Sequence, residues 1–560
     1  MKIFLAQQNY HIGNFEANTQ KIITAIQQAK HSGGDMIVFS ELCVCGYPPR
    51  DFLYFNDFIN KCNQAINTIK QHADGIAVLI GAPSVNPLPR GKDLYNSAWF
   101  LADKEVAQVF HKTCLPTYDV FDEDRYFEPA SQWELLLYKG KKIAVTICED
   151  IWNLGNNPLY TVCPMDKLTL QNPDLMINLS ASPFDYTHDK DREAIVKANV
   201  QRYNIPVFYC NTIGSQTEIV FDGASLVFDK NANLCARLKS FEEDLQGFTL
   251  LDDGSIDSSI LIPHDQLPGQ ELTPLQLDEK LNIPLIYEAL VLGIKDYFSK
   301  MGFSKAILGS SGGIDSAVVL ALACEALGSS NVTAVLMPSP FSTGHSVSDA
   351  ERLSKNLQNP YHVIPIREIY NSITGTLEPL FAGLPFNVAE ENIQSRTRGN
   401  LLMAIANKFG YILLNTSNKS ELATGYGTLY GDMAGGLAVL GDCYKLQIYE
   451  LAKYINRKNE VIPNHILIKP PSAELRPGQK DSDSLPDYSI LDKILYQYIE
   501  LSKGPDEIKA LGFEATLVDR ILKLVNVNEY KRNQFCPIIR ISHKSFGIGR
   551  RVPIVAKYLS

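Results

Sequence analysis

Short apolar runs alternate along this chain with longer stretches in which apolar positions recur every three to four residues. The first runs, Lys2–Gln7 and Met36–Ser40, flank a helical-period stretch at Asn14–Lys30. The alternation continues through Ile76–Gly81, Ile143–Ile147, Leu175–Leu179 and Val207–Cys210, the last preceded by a helix expected over Asp189–Tyr203. This rhythm predicts an α/β unit over residues 1–253. Residues 254–283 then turn polar and are broken by Pro263, Pro268 and Pro274, so a linker is expected there. Helical period resumes at Ile286–Ile294. The strand candidates Ala306–Leu308, Val332–Leu336, His362–Ile366 and Ile412–Leu414 follow, and they predict a second unit over 284–560 with a mostly parallel, doubly wound sheet.

Composition narrows the possible partners. The 560 residues carry 52 basic and 62 acidic side chains, a net charge of -10, so no global positive field gathers nucleic acid or an anionic membrane surface. No stretch approaches the ~18 apolar residues of a membrane span. The opening run Ile3–Ala6 is too short for the apolar core of a secretory signal, so a cytoplasmic location is expected. The eleven cysteines are odd in number and scattered, which predicts reduced thiols. Cys43 and Cys45 lack a second Cys or His pair at metal spacing, so they read as packed thiols rather than a zinc site.

Candidate chemistry in the second half begins at Gly309-Ser310-Ser311-Gly312-Gly313-Ile314-Asp315-Ser316, a glycine-rich turn between an expected strand and an expected helix. Small residues let the backbone approach an anion, and a helix start offers free N–H groups with the positive end of the helix dipole. Without lysine, the loop is not one that pulls on a γ-phosphate in phosphoryl transfer. Asp315 offers a carboxylate suited to Mg²⁺ beside phosphates. A bare glycine pair would be a capped turn more often than an anion site. The wording S-G-G-x-D-S, however, resembles the pyrophosphate loop of the N-type ATP pyrophosphatases, which cleave ATP to AMP and pyrophosphate while adenylating an oxygen acid.

Downstream stand Thr416, Glu421 in Asn418–Tyr426, Asp432 before Gly435-Gly436, and Lys445. Alone, Glu421 would be a helix-start carboxylate and Lys445 a surface lysine. Together these segments are similar to the NAD synthetases. That resemblance implies an ATP contact at Thr416, Mg²⁺ ligands at Asp315 and Glu421, and deamido-NAD binding by Asp432 and Lys445. It extends to Lys469–Arg476 and Gln479–Asp483, a segment expected to close over the nucleotide. The tail His543–Pro553 supplies cations and glycines suited to phosphate, with His543 and Lys544 as candidate phosphate or deamido-NAD contacts, and a solvated basic stretch is the rival reading.

In the first half, the apolar run Ile143–Ile147 ends at Cys148, where a thiol can be presented beside turn N–H groups. A core cysteine is the commoner fate of such a residue. Glu41 ends another apolar run before Gly46-Tyr47-Pro48-Pro49, and Lys112 follows Val109-Phe110-His111. A Glu, a Lys and a Cys at strand ends of one sheet can converge although far apart in sequence. Glu41 would take the thiol proton, Cys148 would attack an amide carbonyl, and Lys112 would stabilise the oxyanion.

These segments, with Tyr118–Glu123 and Cys148–Trp152, resemble the nitrilase superfamily, in particular its glutamine-hydrolysing branch fused to NAD synthetase. The resemblance implies glutamine contacts from Tyr118, Glu123, Ser180 and Ser182. It also implies an N-terminal nitrilase-like α-β-β-α sandwich followed by a Rossmann-like ATP pyrophosphatase domain. The implied activity is amidation of deamido-NAD to NAD⁺, with glutamine, ATP and deamido-NAD as substrates, Mg²⁺ as cofactor and a homo-oligomer as the assembly. Two other readings remain open from the residues: a degenerate first half with free ammonia as nitrogen source, and a nucleotide-sensing module without turnover.

Overall fold

The computed structural model describes residues 1–155, 158–257, 276–472, 474–479, 481–483 and 485–559. Most of the expected linker, residues 258–275 with Pro263, Pro268 and Pro274, lies outside them. The described residues form two compact units. One comprises Met1–Phe184 and residues 188–257, the other Asp185–Thr187 and residues 276–559.

The first unit contains β1 (Lys2–Gln7), α1 (Phe15–His31), β2 (Met36–Phe39), α2 (Asn56–Lys70), β3 (Ala77–Val85), β4 (Leu94–Ala102) and β5 (Glu105–His111). Next come β6 (Leu136–Tyr138), β7 (Lys141–Ile147), α3 (Pro164–Leu168), β8 (Leu175–Ser180), α4 (His188–Tyr203) and β9 (Val207–Asn211). It closes with β10 (Ile213–Gln216), β11 (Ile219–Asp222), β12 (Leu226–Phe228), β13 (Leu234–Arg237), β14 (Asp244–Leu250) and β15 (Ile256–Asp257). One sheet runs β15-β14-β1-β2-β3-β4-β5 and a second runs β13-β12-β9-β8-β7-β6.

Strands β2 and β8 are buried along their whole length, which is why β2 reads as a continuous apolar run and β8 as one broken only by Asn178 before its last residue, Ser180, rather than as alternating patterns. Ile3, Leu5, Met36 and Val38 of one sheet meet Ile143, Val145, Ile177 and Leu179 of the other in a shared core. On the outer face of the first sheet, α1 and α2 pack through Ile22, Ile26, Ile66 and Ile69. On that of the second, α3 and α4 pack through Met165, Leu168, Val196 and Val200. The unit is therefore an α-β-β-α sandwich. The hairpin β4–β5 has no clear apolar run, because Asn96 and Ser97 occupy buried positions in β4. Strand β3 runs past the expected end at Gly81 to Val85, because its antiparallel pairing with β4 extends to Val85 opposite Leu94.

The second unit contains α5 (Ile283–Met301), β16 (Ala306–Gly309), α6 (Ile314–Leu327), β17 (Val332–Leu336), α7 (Gly344–Leu357), β18 (Tyr361–Val363), α8 (Arg367–Phe381) and α9 (Val388–Phe409). It continues with β19 (Ile412–Asn415), α10 (Lys419–Thr424), β20 (Leu437–Ala438), α11 (Lys445–Ile455), α12 (Asn464–Ile468) and α13 (Tyr488–Ile499). Pro284 lies in the first turn of α5, where its missing N–H costs no hydrogen bond.

The sheet order is β18-β17-β16-β19-β20, and every neighbouring pair is parallel. The chain leaves β16 toward one edge and returns on the other side at β19, so a topological switch point lies between these two strands. In such sheets ligands bind beyond the carboxyl ends at that point. The edge strand β18 is shorter than the His362–Ile366 run suggested, because its only neighbour, β17, ends where Leu336 pairs with Val363.

Candidate active sites

In the first unit the candidate nucleophile stands just past a strand, but not of the single sheet expected: Glu41 and Lys112 follow β2 and β5 of one sheet and Cys148 follows β7 of the other, and the three come together because the two sheets pack face to face. Strand β7 ends at Ile147, and the chain turns sharply at Cys148, whose φ of 43° lies in the left-handed region, before a short 3₁₀ turn through Ile151. Asp150 closes this turn: its Oδ2 accepts the Ile147 N–H at 3.0 Å. Its Oδ1 accepts the N–H groups of Thr113 and Cys114 at 3.0 and 2.8 Å. One carboxylate thus ties the cysteine turn to the segment that begins at Lys112.

Lys112 is wholly buried, and its Nζ donates to Glu41 Oε1 at 2.7 Å and to Glu123 Oε1 at 2.8 Å. Asn96 Nδ2 also donates to both carboxylates, at 2.7 Å to Glu41 and 3.1 Å to Glu123. The Tyr47 hydroxyl donates to Glu123 at 2.8 Å, and the Ala181 N–H donates to Glu41 Oε2 at 3.0 Å. Two carboxylates share one ammonium, which leaves one negative charge in a dry site. Burial, reinforced by the Glu123 charge and opposed by Lys112, pushes the Glu41 carboxyl up to about 7. Burial alone would lower Lys112, but the Glu123 and Glu41 charges hold its ammonium well above the ordinary range. The Cys148 thiol is pushed up by burial and next by the Glu41 charge. The arrangement therefore suits a base that removes the thiol proton as substrate binds rather than a standing thiolate.

The residues expected to contact glutamine are not all placed alike. Glu123 lies inside the Lys112 network. Tyr118 is part-exposed and donates through its hydroxyl to both oxygens of Glu149, at 2.9 and 3.0 Å. Ser180 turns its hydroxyl to Asn178 Oδ1 at 2.6 Å, while its carbonyl accepts the Glu41 N–H at 3.4 Å. The Ser182 N–H donates to Asn211 Oδ1 at 2.9 Å. No role for Asn96, Glu149 or Asp150 was visible in the sequence. Glu149 and Asp150 follow Cys148 directly, but Asn96 sits in a hairpin with no motif.

In the second unit, a cavity of about 280 Å³ opens at the switch point and is lined by the whole loop Gly309–Ser316 and by Thr416, Glu421, Asp432 and Lys445. Gly312 has a φ of 78°, and a Cβ there would lie 2.2 Å from the Ser346 carbonyl oxygen, so only glycine fits. The Ser316 hydroxyl donates to the Gly313 carbonyl at 3.1 Å and accepts the Ser311 N–H at 3.2 Å, closing the loop over the start of α6. Val335, Met337, Leu402 and Leu413 line an apolar part of the same cavity.

Asn418 caps α10. Its Oδ1 accepts the Glu421 N–H at 2.9 Å, and its Nδ2 donates to Asp315 Oδ1 at 2.9 Å. Lys445 Nζ lies 2.5 Å from Asp315 Oδ2 and 3.7 Å from Glu421 Oε1. Burial and the Asp315 charge push the Glu421 carboxyl up to about 8, because a single ammonium does not neutralise both groups. Two convergent carboxylates with surplus negative charge beside a phosphate loop fit a hard divalent cation such as Mg²⁺.

The segment expected to close over the nucleotide contributes Lys469, Ser472, Glu474 and Asp481 to the lining. Glu474 accepts from Ser346 Oγ at 2.6 Å and from Lys469 Nζ at 2.8 Å. Arg398 of α9 also lines the cavity and donates to the Met337 carbonyl at 3.0 Å; it belongs to no motif read from the sequence. His543 and Lys544 are not among the lining residues, and the Lys544 carbonyl accepts from Lys419 Nζ at 2.9 Å.

Comparison with known proteins bears on both units. A carbon-nitrogen hydrolase family model matches residues 2–251, and an NAD synthase model matches residues 286–535. The chain is 45% identical to a glutamine-dependent NAD(+) synthetase of Synechocystis, covering 99% of each chain. To one from Thermotoga maritima it is 39% identical, over 100% of this chain and 99% of the relative. A solved glutamine-dependent NAD+ synthetase from Acinetobacter baumannii, in complex with ADP, superposes with a TM-score of 0.76 at 37% identity, covering 100% of this chain and 99% of the other. One from Cytophaga hutchinsonii, at 19% identity and a TM-score of 0.81 over 100% and 98% of the two chains, shares the fold.

Proposed function

The chain belongs to the glutamine-dependent NAD(+) synthetase family, and from that premise we propose that its two units carry the two halves of one amidation. The first frees nitrogen from glutamine, and the second activates the nicotinic acid carboxylate of deamido-NAD with ATP. The products are NAD⁺, AMP, pyrophosphate and glutamate. The observation that carries this reading is the pairing, in one chain, of a buried Glu41–Lys112 network beside Cys148 with a lysine-free phosphate loop facing Glu421.

In the first half-reaction Glu41 takes the Cys148 proton as sulfur attacks the side-chain amide carbon. Lys112 stabilises the developing oxyanion. Glu41 returns the proton to the departing nitrogen, ammonia leaves, and water then hydrolyses the thioester to glutamate. Glu149, held by the Tyr118 and Tyr160 hydroxyls next to the nucleophile, supplies negative charge for the ammonium group of a free amino acid.

In the second, a carboxylate oxygen of deamido-NAD attacks the α-phosphorus of ATP and the bond to the bridging oxygen of pyrophosphate breaks. Ammonia then attacks the acyl carbon and AMP departs, a leaving group the bare carboxylate lacks. The N–H groups around Ser311–Asp315 receive the phosphates, and Lys445 adds positive charge beside them. Asp315 and Glu421 would hold Mg²⁺, which supplies charge neutralisation for the leaving pyrophosphate. Thr416 and the apolar lining of Val335 and Leu413 accept the nucleoside, and Asp432 faces the second substrate.

No helix among the described residues is long and apolar enough to cross a membrane, and all eleven cysteines are free thiols; both support a cytoplasmic site of action. A homo-oligomer is supported by α8, in which only Tyr370 is buried while Ile369, Ile373 and Leu380 are exposed. The deciding experiment supplies deamido-NAD, ATP, Mg²⁺ and amide-labelled glutamine. Label in NAD⁺ with one AMP per product is expected; ADP with orthophosphate would refute the assignment.

A further inference from the structure

Helix α13 contributes no reacting group to the reading above, yet it meets the backbone of the first turn of α11 through Asp492 and the Lys445 side chain through Tyr488. Asp492 is fully buried in this helix. Its Oδ1 accepts the Ser420 hydroxyl at 2.6 Å, and its Oδ2 accepts the Leu446 N–H at 3.0 Å. Ser420 spends its one proton on Asp492, and its oxygen accepts the Lys445 N–H at 3.0 Å. The first two N–H groups of α11, which have no partner within their own helix, are thereby satisfied by one carboxylate and the hydroxyl it orients. A carboxylate at this end is also favoured by the helix dipole.

The residues joined in this way lie next to the active groups. Ser420 immediately precedes Glu421, and the Lys445 N–H belongs to the residue whose ammonium pairs with Asp315. One helical turn before Asp492, on the same face of α13, the Tyr488 ring lies under the Lys445 ammonium at 5.5 Å from its centroid. The Tyr488 hydroxyl donates to Asp481 Oδ2 at 3.1 Å.

We propose that Asp492 is a positioning residue for the synthetase reaction, holding the start of α10 against the start of α11 so that Glu421 and Lys445 keep their places around Asp315. This rests on the reading of Asp315 and Glu421 as the adenylation centre. Without the bridge, the Lys419 N–H on the Cys443 carbonyl at 2.9 Å and the Lys419–Asp442 pair would still tie the two segments, but the Lys445 and Leu446 N–H groups would lose their acceptors and the first turn of α11, which carries Lys445, would loosen beside Asp315 and Glu421. Outer-shell partners of this kind typically change metal affinity or activity by roughly 10–100-fold.

The test uses the full-length enzyme with Asp492→Asn and, separately, Ser420→Ala, which removes the bridging hydroxyl while leaving the buried carboxylate in place. Mn²⁺ binding without substrates, read by electron paramagnetic resonance, is expected to weaken about 10-fold in both variants. The kcat for NAD⁺ formation from ammonium is expected to fall by a similar factor. Glutamine hydrolysis should stay at the wild-type rate, and Ser420→Thr, which restores a hydroxyl, should recover most of the loss. Should Asp492→Asn fail to fold, Ser420→Ala decides. Wild-type Mn²⁺ affinity and kcat in Ser420→Ala would overturn the proposal. A wild-type enzyme that forms no AMP would instead overturn the adenylation reading beneath it.

Discussion

The ammonium of Lys445 pairs with Asp315 at 2.5 Å, although the two residues lie 130 positions apart and on different elements. The pair stands where a divalent cation and phosphates would meet, so removing its acidic member would remove both the proposed cation ligand and the partner that orients Lys445. Asp315→Ala is expected to lower NAD⁺ formation at least ~10²-fold with either glutamine or ammonium. Glutamine hydrolysis should persist, as measured by glutamate release.

Cys148→Ala separates the halves in the opposite sense. Glutamine-dependent NAD⁺ formation should fall to background, while formation from added ammonium keeps its wild-type rate. Full activity with glutamine would place the nucleophile elsewhere.

The pH dependence of glutamine hydrolysis should follow Glu41. The base must be ionised to accept the thiol proton, so the rate should rise through about 7 and fall about tenfold per unit below 6. Stability runs the other way. A carboxyl raised from 4.5 to about 7 in the fold adds stability that is fully present below 4.5 and lost as pH rises through about 7. Glutaminase rates between pH 5 and pH 9 check the first statement, and thermal melts over the same range check the second.

Glu123→Gln removes the second negative charge while keeping a group able to accept from Lys112. With that like charge gone, the Glu41 carboxyl loses one cause of its upward shift. The acid limb of the glutaminase profile should move to lower pH. The maximal rate should drop ~10-fold or more, because Lys112 and Tyr47 lose a charged acceptor. An unmoved acid limb would show that Glu123 does not set the Glu41 proton affinity.

Leu380 and Leu384 are 76% and 67% exposed in and just after α8. Leu380→Lys with Leu384→Lys is expected to shift the assembly toward smaller species in light scattering, since burying a charge opposite an apolar partner is unfavourable. An unchanged mass would exclude this face from the interface.

Much of the fold was readable because buried parallel strands announce themselves: β2, β8, β16 and β17 are mainly apolar runs whose limits on the page match their limits in space to within a residue. The hairpin β4–β5 was not readable, since its buried polar residues serve other polar groups instead of the core, Asn96 the Glu41 and Glu123 carboxylates and Ser97 the side chains of Ser84 and His111. The turn Gly309–Ser316 could be read because a strand-to-helix turn of small residues is local, written in consecutive positions. Asn96 and Arg398 could not, because each acts on partners distant in sequence.

The order of amino acids alone determined the two α/β units and the lysine-free glycine turn, because periodicity and local backbone chemistry are written residue by residue; it offered Glu41, Lys112 and Cys148 as candidates through their family resemblance. Only the tertiary structure decided that Glu123 shares Lys112 with Glu41, that Lys445 answers Asp315, and that Asp492 ties two helix starts together. Such relations depend on which strand and helix ends the packing brings within about 3 Å of each other, and buried charges take their protonation from those neighbours rather than from their own type.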